Sequence, residues 1–179
     1  VKEQDALYCE AAERYARCGV DALLLSDDLF FPDPKRESPC AWESDILPRL
    51  RRIISSARAA RSDILIDYEH FGEPEKHIPQ IIELGTGILC PVSAGYDDLI
   101  RLKKKYGGKV SFRGALHSLN ETGRAAPERV RAECLRIMVN MGNGGGLILS
   151  PCRMLEQDTP WENIESMVLS VLEYNRMML

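Results

Sequence analysis

Five times along the chain a short apolar run gives way to a polar loop and then to an amphipathic helical stretch. The runs are residues 22–26 (ALLLS), 63–67 (DILID), 87–91 (GILCP), 109–113 (KVSFR) and 145–150 (GGLILS). Continuous apolar runs suit strands covered on both faces, as in parallel sheets, whereas half-exposed strands alternate. Strand, helix and strand repeated over five cycles require crossover connections, so the class is α/β with a parallel sheet, either a barrel or a doubly wound sheet. Periodicity does not choose between the two.

The helical stretches carry readable ends. Pro39, Pro74 and Pro127 suit first helical turns, and Gly19, Gly85, Gly107 and Gly142 stand where helices should stop. Thr159-Pro160-Trp161-Glu162 reads as a capping box opening the last helix, with Ile164, Met167, Val168, Val171 and Leu172 as its apolar stripe. A second stripe is Val130, Cys134, Ile137, Met138 and Met141. Both read as core. No GxGxxG and no phosphate-binding lysine loop follows any run, which disfavours nucleotide folds. Asn143-Gly144-Gly145-Gly146 precedes a strand and reads as a turn.

Composition narrows the class further. With 179 residues, 45% of them apolar, the chain is the size of one domain and can bury a core. Net charge is −4, and the dense basic clusters at residues 49–52 and 103–105 fall in helices, so nucleic-acid binding is disfavoured. No run approaches the ~20 apolar residues of a membrane span, and no signal peptide opens the chain, so a cytoplasmic protein is expected. Six scattered cysteines without a CxxC pair match neither a disulfide framework nor a zinc finger.

Several segments in order resemble the uroporphyrinogen decarboxylase superfamily: GVDALLLSDD (residues 19–28), SPCAWESDILPRLRRII (38–54), IIELGTGILCPV (81–92), LKKKYGGKVSFRGAL (102–116) and GGLILSPCRMLEQDTPWENI (145–164). The resemblance covers the chain from about Asp5 onward. It implies a (β/α)8 barrel of which about five β/α units are present, as a single domain over residues 1–179. The missing first units imply either a longer natural chain or self-association through open sheet edges; the start at Val1 inside an amphipathic stretch favours trimming.

Barrel enzymes place their chemistry at strand C-termini. That rule selects Ser26, Asp27 and Asp28; Asp67, Glu69 and His70; Cys90; Arg113 and His117; and Ser150, Cys152 and Arg153. Asp27 and Asp28 are adjacent, so one faces the barrel mouth while the other caps the following loop; an ordinary acidic loop is the alternative. Asp67, Glu69 and His70 are the densest titratable cluster, suited to acid–base work or to a loose surface turn. Arg153 is suited to a carboxylate or phosphate, with Ser150 and Cys152 beside it as substrate contacts. Cys90 reads as a buried small hydrophobe, and His77 as an exposed or packing residue within a helix.

The resemblance divides into two branches. Its methyltransferase branch implies zinc held by a His-x-Cys-Gly turn and a late cysteine, zinc activating a thiol as thiolate. Here that turn is Glu69-His70-Phe71-Gly72, and the late position is Arg153 with Cys152 adjacent. No metal ligand and no tightly bound cofactor is therefore expected, although a site reassembled from Glu69, His70, His117, Cys90 or Cys152 is chemically conceivable. The decarboxylase branch departs as well, with Ser150-Pro151-Cys152-Arg153 in place of its histidine. The closing Asp158-Thr159-Pro160 and Glu162-Asn163 resemble the methyltransferase side. The leading expectation is a methyltransferase-type enzyme acting on a small molecule and a corrinoid carried on a partner protein, with Asp27, Asp28, Glu69, His70 and His117 as catalytic candidates. The alternatives are a uroporphyrinogen decarboxylase of tetrapyrrole biosynthesis, which is a lyase, and a non-catalytic binding relative.

Overall fold

Parallel pairing dominates the computed structural model, which describes residues 2–26, 42–70, 75–91, 95–116, 126–152, 155 and 157–178. The elements are α1 (Lys2–Arg17), β1 (Ala22–Ser26), a π-turn (Trp42–Ile46) running into α2 (Leu47–Ala60), β2 (Leu65–His70), α3 (Ile78–Glu83), β3 (Ile88–Pro91), α4 (Tyr96–Tyr106), β4 (Ser111–Leu116), α5 (Pro127–Ile137) with a second π-turn (Met138–Gly142), β5 (Leu147–Pro151) and α6 (Trp161–Met178). The strands form one parallel sheet in the order β1-β2-β3-β4-β5. A doubly wound sheet must reverse its order once, so the unreversed order selects a barrel wall of five β/α units.

The chain divides into two compact units, Val1–Leu89 and Cys90–Leu179. In the first, Ala12 and Ala16 of α1, Ile53, Ile54 and Ala57 of α2, Leu23 of β1, and Ile64 and Ile66 at β2 form one buried cluster. Small alanines let α1 and α2 approach the strands closely. Asp5 of α1 is buried and paired to Arg49 at 2.6 Å and to Arg52, which ties the two helices together. Burial alone would raise the Asp5 carboxyl, but the hydrogen bonds and charges of Arg49 and Arg52 outweigh it and hold it below its ordinary range.

The π-turn has a sequence cause. Pro48 stands in the first positions of α2 and lacks the N–H that an uninterrupted helix would use there, so the preceding turn is wound wider. That turn buries Trp42 and Ile46.

In the second unit the stripe Val130, Cys134, Ile137, Met138 and Met141 is fully buried, as its spacing requires. The α6 stripe is a correction. Val168 and Leu172 are exposed, whereas Asn163 and Ser170 are buried. Ser166 Oγ donates to Pro127 O at 2.7 Å and Arg131 pairs with Glu173, so α6 meets α5 along small polar residues that permit close approach. The first turn of α6 also closes one residue later than the capping box implied: Asn163 and Ile164 N–H donate to Pro160 O.

Strand boundaries move too. β2 begins at Leu65 and continues to His70, and β4 continues to Leu116, because ladder pairing carries the chain past the apolar run. His77 lies just before α3 rather than inside it. Among the described residues no helix is long and apolar enough to cross a membrane.

Candidate functional site

Alternation along the strands decides which side chains meet. Leu23 and Ile66 belong to the helix-packed cluster, so Leu24, Ser26, Leu65, Asp67 and Glu69 project from the opposite face. The β1–β2 register pairs Leu24 with Asp67 and Ser26 with Glu69. Leu24 is 53% exposed and Leu65 49%, so this face is open, apolar toward the strand starts and polar at the C-terminal ends. Asp67 is buried, while Ser26 and Glu69 are half-buried. In a closed barrel this face lines the interior, and its polar end is the mouth.

His70 is placed differently. It falls on the helix side of β2, 1% exposed, within an aromatic group. Its ring centroid lies 6.2 Å from Tyr68, 5.7 Å from Trp42 and 5.7 Å from His77. Trp42 stacks on His77 at 4.2 Å, and its Nε1 donates to Gln80 Oε1 at 2.6 Å. Glu69 and His70 are sequence neighbours on opposite faces of one strand, so they do not act on the same ligand from these positions. The sequence offered no sign of Trp42 as a packing partner of His70, or of Gln80 as the acceptor that holds Trp42.

In the second unit Ser150 is half-buried beside Ala115 in the β4–β5 register, and its Oγ donates to Pro151 O at 3.2 Å. Arg113 is half-buried on β4; Cys90 and Cys152 are buried. Gly114 and Ala115 both have positive φ, 103° and 75°. A glycine within a strand signals a bulge or a close backbone approach, a clue already present in the RGAL sequence. Asp27, Asp28, His117 and Arg153 lie outside the described residues, as does Phe71.

The zinc site implied by the methyltransferase resemblance does not fit these residues. Its two turn positions hold Glu69 and Phe71, and among the described residues no group of three or more His, Cys, Asp or Glu gathers closely enough to hold a metal.

No protein-family model matches the chain, and no curated protein matches it. Among solved structures, a methyltransferase from Methanosarcina mazei shares the fold, with a TM-score of 0.67 and 18% identity over 93% of this chain. The chain spans about half of that protein, 47% of its length. At that identity the likeness establishes the architecture, a wall of parallel β/α units with its strand ends at one rim.

Proposed function

We propose that this chain forms part of the catalytic barrel of a methyltransferase-type member of the uroporphyrinogen decarboxylase superfamily, which moves a methyl group between a small-molecule substrate and a corrinoid carried on a partner protein in the cytoplasm. The observation that carries the reading is the polar strand-end face of Ser26, Asp67 and Glu69, on a fold shared with a methyltransferase. The corrinoid supplies the cobalt centre that exchanges the methyl group. Removing a methyl from oxygen or nitrogen leaves a basic atom that needs a proton as the bond breaks. Glu69 is the half-buried carboxyl placed to give that proton, and Asp67 and Ser26 flank it to orient the substrate. His70, enclosed between rings, holds β2 in place. Asp27, Asp28 and His117 remain catalytic candidates, and Ser150, Cys152 and Arg153 substrate-contact candidates, on the strand-end rule.

The test is incubation of the full natural chain with methylcobalamin and a thiol or amine acceptor, read from the cobalamin spectrum. Loss of the methylcobalamin spectrum, slowed in Glu69→Gln, is the expected result. Turnover of a porphyrinogen without any cobalamin change would instead identify a decarboxylase. Silence in both assays with ligand binding intact would identify a binding relative.

A further inference from the structure

We propose that Cys90 and Cys152 form a two-thiolate site for a soft closed-shell metal ion, copper(I) being the ion whose chemistry fits. Cys90 is on β3, Cys152 follows β5 directly, and β4 lies between those strands. At the point where a side chain on Gly114 of β4 would begin, Cys90 Sγ is 3.1 Å away and Cys152 Sγ 3.6 Å away. The two sulfurs converge over a single glycine. A Cβ at residue 114 would press on the Cys90 sulfur and would have to be carried at a φ of 103°, which L side chains rarely adopt. Cys90 is 1% exposed and Cys152 8%, and the Cys152 N–H donates to Leu116 O at 3.0 Å, which fixes its backbone beside β4.

The backbone beneath the sulfurs is strained. Ala115 is the one non-glycine residue with positive φ among those described, a conformation that costs an L-residue about 1–2 kcal/mol. Strain of this kind persists where the surroundings hold it, and it concentrates at binding sites. Here it bends the end of β4 at the place where the thiols meet.

The number of donors selects the ion. Zinc takes four ligands in structural sites and three in catalytic ones, and no such group exists among the described residues. Two soft sulfurs are a donor set suited to copper(I). A disulfide is the competing use of a cysteine pair, but it requires Cα atoms within about 7 Å. These cysteines belong to strands separated by a third, with neighbouring strands about 4.8 Å apart. A bridging ion inserts two sulfur–metal bonds of about 2.3 Å and spans the wider gap. Binding converts two thiols to thiolates, releases two protons and leaves a complex of net charge −1.

The experiment is an anaerobic copper(I) titration of the full chain, with Cys9, Cys18 and Cys40 changed to Ser, against a chromophoric copper(I) chelator. One equivalent withheld from the chelator, with two protons released per ion, is expected. Cys90→Ser and Cys152→Ser should each weaken binding by roughly a hundredfold while circular dichroism stays unchanged. Gly114→Ala should act in the same direction; if it fails to fold, the two serine variants decide the matter. The proposal is overturned if no equivalent is withheld, if either serine variant binds copper as the parent does, or if mild oxidation with diamide closes a Cys90–Cys152 disulfide in the folded chain.

Discussion

Asp5 accepts a hydrogen bond from Arg49 Nε at 2.6 Å across the α1–α2 junction, with both side chains nearly out of water. The folded carboxyl lies below its ordinary value of 3.8, so the pair stabilises the fold fully above that value and ceases to do so as pH falls through the folded one. Asp5→Asn should cost about 1–2 kcal/mol at pH 7, because Arg52 stays half open to water, and the cost should vanish at an acid pH below the lowered value of the folded carboxyl. Urea melts at the two pH values measure it; an equal cost at both would remove the charge from the explanation.

Trp42 stacks on His77, meets His70 edge to face and is almost fully buried. Trp42→Ala should cost about 3–5 kcal/mol, mostly as a cavity. Trp42→Phe should cost less, although it strands the Gln80 amide oxygen; pairing it with Gln80→Leu should recover part of the loss. Thermal melts of the two variants check the order.

The opposite faces of Glu69 and His70 separate activity from stability. Glu69→Gln should leave the melting temperature within a few degrees of the parent and lower methyl transfer by about 10²–10⁴-fold, the usual worth of a general acid. His70→Ala should lower stability by about 2–4 kcal/mol, the range for emptying a buried site. If His70→Phe kept its fold but lost turnover, His70 would be chemically engaged.

Cys134 is pushed up to about 12, first by burial and then by the Glu133 charge. Its thiol should not react with a disulfide reagent at pH 8 until the chain unfolds, whereas exposed Cys18 should react at once. Mass spectrometry of peptides after brief labelling distinguishes them.

The α5 stripe was legible residue by residue because helical spacing and burial share one period. The five strands were legible in number and order but not in extent: β2 runs on through Asp67, Tyr68, Glu69 and His70, and apolar content does not mark where ladder pairing ends. The same shift hid the split between Glu69 and His70, since a two-residue turn and a two-residue strand end look alike until the pleat is fixed. The α6 stripe misled because apolar periodicity reports what a helix can bury, while Asn163, Ser166 and Ser170 determined what it did bury. Of Asp28, Glu69, His117 and Arg153, which the strand-end rule gathers at one mouth, only Glu69 is among the described residues.

Leu24 and Leu65 lie diagonally from each other on the open face of β1 and β2, about half in water. The hydration of apolar surface, rather than its contacts, sets the heat capacity of unfolding, about 12–15 cal/mol/K per residue in ordinary domains. Leucines already wet in the folded state add little when the chain opens. A calorimeter should therefore record a shallow increment for this stretch, with a flattened stability curve whose maximum is broad in temperature.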